Sequence, residues 1–68
     1  MEQVIIKVGG MSCQGCVKGV TAALQGVTGV QAAAVDLAAG EARVDFDPQQ
    51  TSAAALRQAV ESAGFDAA

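Results

Sequence analysis

Val4-Ile5-Ile6-Lys7-Val8-Gly9-Gly10-Met11-Ser12-Cys13-Gln14-Gly15-Cys16-Val17 changes its hydrophobic period once, and the change decides the fold. Val4, Ile6 and Val8 alternate with Gln3, Ile5 and Lys7, the period-two pattern of a strand with one buried face. Gly9-Gly10 breaks the alternation. Beyond the break, Val17, Val20, Leu24 and Val27 recur at helical spacing. A strand therefore feeds a glycine-flanked loop that carries Cys13, and a helix follows with Cys16 in its first turn.

The remaining chain repeats this alternation of periods. Gly26 and Gly29 are expected to bracket the end of the first helix as left-handed caps. Gly19 lies inside that helix at a cost of about 1 kcal/mol against Ala, which points to a packing reason. Residues 30–37 read as a second strand with Ala33, Val35 and Leu37 on one face, and Ala38-Ala39-Gly40 as a hairpin turn. Ala42, Val44 and Phe46 then alternate with Glu41, Arg43 and Asp45 as a third strand with one wet face. Asp47-Pro48 ends it, because Pro has no N–H to give to a ladder. Thr51 or Ser52 caps a second helix with Leu56, Ala59, Val60 and Ala63 on its apolar side. Gly64 closes that helix and leaves residues 65–68 for a very short fourth strand. Gly29-Val30 and Gly64-Phe65 form a weak internal repeat. The expected fold is α+β: one domain over residues 1–68, a ferredoxin-like βαββαβ sandwich with a four-stranded antiparallel sheet and two helices on one face.

Composition excludes several functions. Of 68 residues 51% are apolar, but 15 are Ala and only 16 are Val, Ile, Leu or Phe, too few to enclose a substrate cavity. A net charge of −3 and a pI near 4.4 oppose binding to nucleic acid or to an anionic membrane surface. Without Trp or Tyr, and with two Phe, the chain offers no platform for stacked bases. Histidine, the commonest general base and metal ligand, is absent. The scattered acids form no catalytic pair and read as solvated faces that could steer a basic partner. No leader-like run and no apolar stretch near the ~20 residues of a membrane span is visible, so the expected location is cytoplasmic, where thiols stay reduced.

The chemistry therefore rests on Cys13 and Cys16. A helix N-terminus favours an anion, so a thiolate is stabilised at Cys16. Two thiolates without a third ligand cannot complete a tetrahedral zinc site within one chain. They suit one Cu(I), which soft thiolates select and which accepts two ligands. Linear coordination leaves the ion open to an incoming thiol, and such a pair also takes Hg(II), Ag(I) or Zn(II) in vitro. Two other readings remain: a small dithiol oxidoreductase, and a docking module whose cysteines are incidental. Against the first, Pro48 lies between a strand and a helix, whereas thioredoxin-like proteins pack a proline against their cysteine pair.

Gly10-Met11-Ser12-Cys13-Gln14-Gly15-Cys16 resembles the Gly-Met-x-Cys-x-x-Cys signature of heavy-metal-associated domains, and Val20, Leu24, Gly29-Val30, Val35-Asp36-Leu37 and Gly64-Phe65 extend the likeness. The family comprises copper chaperones and the amino-terminal modules of copper-transporting P-type ATPases. The resemblance implies that Cys13 and Cys16 bind the metal, that Met11 anchors the loop, and that Phe65 shields the site. It implies a non-enzymatic carrier whose partner is a copper-transporting P-type ATPase, without nucleic acid or membrane insertion. The apo chain is expected to be a monomer, with a metal-bridged dimer open to it. Many bacterial copper chaperones of the family carry His between the cysteines or Tyr where Phe65 stands. Gln14-Gly15 and Phe65 thus keep three readings open: a free chaperone, an ATPase module and a mercury-binding domain. Lys18 is a candidate to offset the negative charge of a two-thiolate copper complex, or else a solvated helix side chain.

Overall fold

The computed structural model describes residues 1–12 and 14–67, so Cys13 and Ala68 lie outside the described residues. Six elements follow one another: β1 (Glu2–Gly9), α1 (Gln14–Gln25), β2 (Val30–Asp36), β3 (Glu41–Phe46), α2 (Ala53–Ser62) and β4 (Asp66–Ala67). The strands make one sheet in the order β2-β3-β1-β4, with every pairing antiparallel. This is the expected ferredoxin-like plan.

Strand alternation builds the core. Ile6 and Val8 of β1 and Ala42, Val44 and Phe46 of β3 are buried, and Val20 and Leu24 of α1 with Leu56 and Val60 of α2 close over them. Full burial of each Leu or Val contributes about 1.5–3 kcal/mol. No polar or charged side chain is buried among the described residues. Ile5 and Arg43, cross-strand neighbours, stand on the opposite, wet face of the sheet. There Lys7 pairs with Glu41, and Gln3 Nε2 donates to Asp45 Oδ1 at 3.0 Å. Such exposed contacts are worth no more than about 1 kcal/mol each. Glu2, Asp36, Glu61 and Asp66 are exposed, as expected of solvated acids, whereas Glu41, Asp45 and Asp47 are half-buried.

Several boundaries differ from the sequence expectation, each for a local reason. β2 ends at Asp36, because Leu37 opens the hairpin turn: Gly40 N–H donates to Leu37 O at 3.3 Å and Ala39 N–H to Asp36 Oδ1 at 3.2 Å. Within β2, Gln31 is an extra residue between the pairs Val30↔Phe46 and Ala32↔Asp45, a bulge on an edge strand. Gly26 is not a left-handed cap. Its N–H still donates to Ala22 O at 3.0 Å, and the reversal with positive φ comes at Gly29. Ser52 is the cap of α2 and accepts from Ala55 N–H at 3.3 Å. Ala63, expected on the apolar side of α2, is its exposed C-cap. Phe65 N–H reaches Val60 O at 3.3 Å and Gly64 N–H reaches Glu61 O at 3.0 Å, the paired bonds of a Schellman ending.

Three connections meet at one end of the sheet. Val8 N–H donates to Gly40 O at 2.8 Å, which holds the β2–β3 turn beside the end of β1. Gly9 pairs with Asp66, which brings the α2–β4 connection to the same place. The loop from Gly10 leaves from this end.

Candidate metal centre

β1 is an inner strand, so the cysteine loop springs from a backbone fixed on both sides by β3 and β4. Met11 is half-buried and packs against the core, while Ser12 is exposed. Gln14 then opens α1. Cys16 is the third residue of that helix and half-buried. The first-turn N–H groups have no partner within the helix and carry the positive end of its dipole. No acidic residue occupies this turn, so no fixed negative charge competes with an anionic sulfur there. Ser12 Oγ stands 4.0 Å from Cys16 Sγ, a hydroxyl–sulfur contact across the start of the helix.

Cys13 lies outside the described residues, so its sulfur is assigned no contact. Among the described residues no group of three or more His, Cys, Asp or Glu gathers to hold a metal.

Phe65 is half-buried, with its ring between the loop and α1. Its Cδ1 is 3.8 Å from where a Cβ on Gly10 would stand, and its Cε2 is 4.0 Å from where one on Gly19 would stand. The second distance is ordinary van der Waals contact, so the packing reason expected for Gly19 is slight. Lys18 is exposed on α1. Side chains two apart on a helix do not face each other, so helical spacing alone sets Lys18 and Cys16 in different directions.

Two other features lie away from this loop. Asp47 follows β3 at the opposite end of the sheet, where Phe46 pairs with Glu2. The Gln49 N–H, and after it the Gln50 side-chain amide, hold the Asp47 carboxyl below its ordinary value. A shallow groove of about 200 Å³ on the open sheet face is lined by Ile5, Ala34, Val35, Asp36, Glu41 and Arg43, with no sulfur among them. Among the described residues no helix is long and apolar enough to cross a membrane.

The contact to Ser12 was missed in the sequence. Its only signal is that Ser12 stands four residues before Cys16, a spacing that brings side chains together where a helical turn spans both.

The profile of the heavy-metal-associated domain matches residues 5–66. The chain is 43% identical over 68 residues to the copper chaperone CopZ of Bacillus subtilis (strain 168), covering 100% of this chain and 99% of that protein. It is 48% identical over 62 residues to the copper-transporting ATPase HMA4 of Oryza sativa subsp. japonica, which is 91% of this chain but spans only 6% of that ATPase. The crystal structure of a copper binding domain from HMA7, a P-type ATPase, superposes with a TM-score of 0.99 at 38% identity, over 100% of this chain and 92% of that one.

Proposed function

Because this chain belongs to the heavy-metal-associated domain family, we propose that it is a copper carrier that holds one Cu(I) between Cys13 and Cys16 and passes it on by thiolate exchange. The observation that carries the reading is the place of Cys16, half-buried on the third residue of a helix whose first turn holds no acid. A copper chaperone matching the chain over almost its whole length supports the choice of ion. Residues 1–68 act as one domain, in the reducing cytoplasm, and carry out no covalent catalysis.

Hand-over needs no change of oxidation state. A thiolate of the receiving protein donates a lone pair to the two-coordinate Cu(I) and forms a three-coordinate bridge. The Cu–S bond to Cys13 then breaks, and the sulfur keeps the electron pair. A second incoming thiolate displaces Cys16 in the same way. Cys13 is the first ligand exchanged, and Cys16, half-buried on the helix, is the one retained longest. The receiving protein is a copper-transporting P-type ATPase with a similar Cys-x-x-Cys domain.

Anaerobic titration of the reduced protein with Cu(I) against a chromogenic competitor tests the reading. One copper per chain, absent from the Cys13→Ser/Cys16→Ser variant, is the expected result. Equal and poor competition by both proteins removes the metal site. The order of exchange is wrong if the Cys16→Ser and Cys13→Ser single variants transfer copper equally well.

The 48% identity to a stretch of an ATPase and the 0.99 TM-score to an ATPase domain favour a second reading, in which the domain receives copper as part of a transporter. Mixing the apo chain with a copper-loaded chaperone, and the loaded chain with an apo ATPase domain, gives the preferred direction.

A further inference from the structure

We propose that Ser12 is a positioning residue for Cys16, its hydroxyl holding the Cys16 sulfur in the orientation that receives the metal. The proposal rests on the carrier reading above and adds to it a residue outside the cysteine pair. Ser12 Oγ and Cys16 Sγ are 4.0 Å apart, and the two residues straddle the start of α1, which begins at Gln14. Ser12 lies two residues ahead of the helix and is exposed, so its hydroxyl is no part of the buried core.

In the thiol form either atom can donate. A metal-bound thiolate has no proton, so the direction becomes fixed: Ser12 O–H donates and the sulfur accepts. A hydrogen bond to an ionised acceptor is shorter and roughly twice as strong as a neutral one. The contact therefore tightens when copper arrives and favours the loaded state over the empty one. Outer partners of metal ligands also fix ligand orientation, and their loss costs about 10–100-fold in metal affinity. A single contact from an exposed hydroxyl belongs at the lower end of that range, about tenfold.

The test compares wild type, Ser12→Ala and Ser12→Thr. Cu(I) affinity is read by competition, and the Cys16 side-chain rotamer by the Hα–Hβ couplings in NMR spectra of the apo and loaded chains. In Ser12→Ala, affinity is expected to fall about tenfold and the couplings to move toward rotamer averaging, while thermal unfolding stays unchanged. Ser12→Thr, which keeps the hydroxyl, is expected to restore both. Unchanged affinity in Ser12→Ala, or a Ser12→Thr variant that fails to restore it, overturns the proposal. If wild type binds no copper the carrier reading has failed, and the couplings of the apo chains still decide whether Ser12 holds Cys16.

Discussion

Gly29, just before β2, and Gly64, just after α2, share the same left-handed conformation, φ 98° and 97°, but only Gly29 is packed against the rest of the chain. A Cβ on Gly29 would lie 2.7 Å from Gln50 Cβ and 3.3 Å from Thr51 Cγ2, whereas one on Gly64 would meet nothing within 4 Å. The two substitutions to Ala therefore separate backbone strain from collision. Gly64→Ala is expected to cost only the strain, about 1–2 kcal/mol. Gly29→Ala adds a clash with a Cβ that cannot swing aside, so its loss is clearly the larger. Urea unfolding of both variants checks this, and equal losses would sink the Gln50 contact as a cause.

Gly19→Ala is expected to do the reverse and stabilise the protein. Gly19 lies inside α1, is exposed, and has a negative φ. A methyl there meets Phe65 Cε2 at 4.0 Å, contact without collision. Removing a mid-helix glycine gains about 0.5–1 kcal/mol. For a domain of this size that raises Tm by several degrees, at roughly 4–8 °C per kcal/mol. A lowered Tm would mean that α1 and Phe65 approach more closely than the structure has them.

Leu24→Ala puts the whole fold at risk. Leu24 is fully buried, in the same core cluster as the second helix's Leu56 and Val60. Such a truncation costs about 2–5 kcal/mol. Total stability at about 0.05–0.15 kcal/mol per residue comes to roughly 3–10 kcal/mol for this chain. The variant is expected to show a much lower urea midpoint, with metal binding weakened through unfolding and not through the cysteines. A midpoint within error of wild type would contradict the core described above.

The order of elements was legible because the hydrophobic period switches cleanly between two and the helical value, as at Val8 and Val17 or at Phe46 and Leu56. Boundaries were less so, because tertiary partners decide them. Gly26 and Gly29 are equivalent as sequence, but Gly29 O accepts Asp47 N–H at 2.8 Å, a bond to the far side of the β2–β3 hairpin. Leu37 continues the strand alternation, yet the Asp36 carboxylate captures Ala39 N–H and starts the turn one residue earlier. At the candidate site, Cys16 could be set in the first turn from the helical spacing of Val17, Val20 and Leu24. The Ser12 contact could not be read with the same ease, since it depends on where α1 begins. The distance from Lys18 to Cys16 around the helix follows from spacing alone.

The pH dependence of stability should carry the mark of Asp47. Its Oδ1 accepts Gln49 N–H at 2.9 Å and its Oδ2 accepts Gln50 Nε2–H at 3.1 Å, which lowers the carboxyl pKa below the ordinary 3.8. The folded state therefore prefers Asp47 ionised. Its contribution is complete above the ordinary value of 3.8 and is lost as pH falls through the lowered one. Asp47→Asn keeps an acceptor oxygen for Gln49 N–H but has nothing to titrate. Urea midpoints of the two proteins are expected to differ by a constant amount above about pH 5 and to converge below it, in the range where carboxylates take up protons. The other acids are common to both chains and cancel in the comparison. Curves that stay parallel down to about pH 2 would show that the Gln49 and Gln50 contacts do not favour the ionised carboxylate.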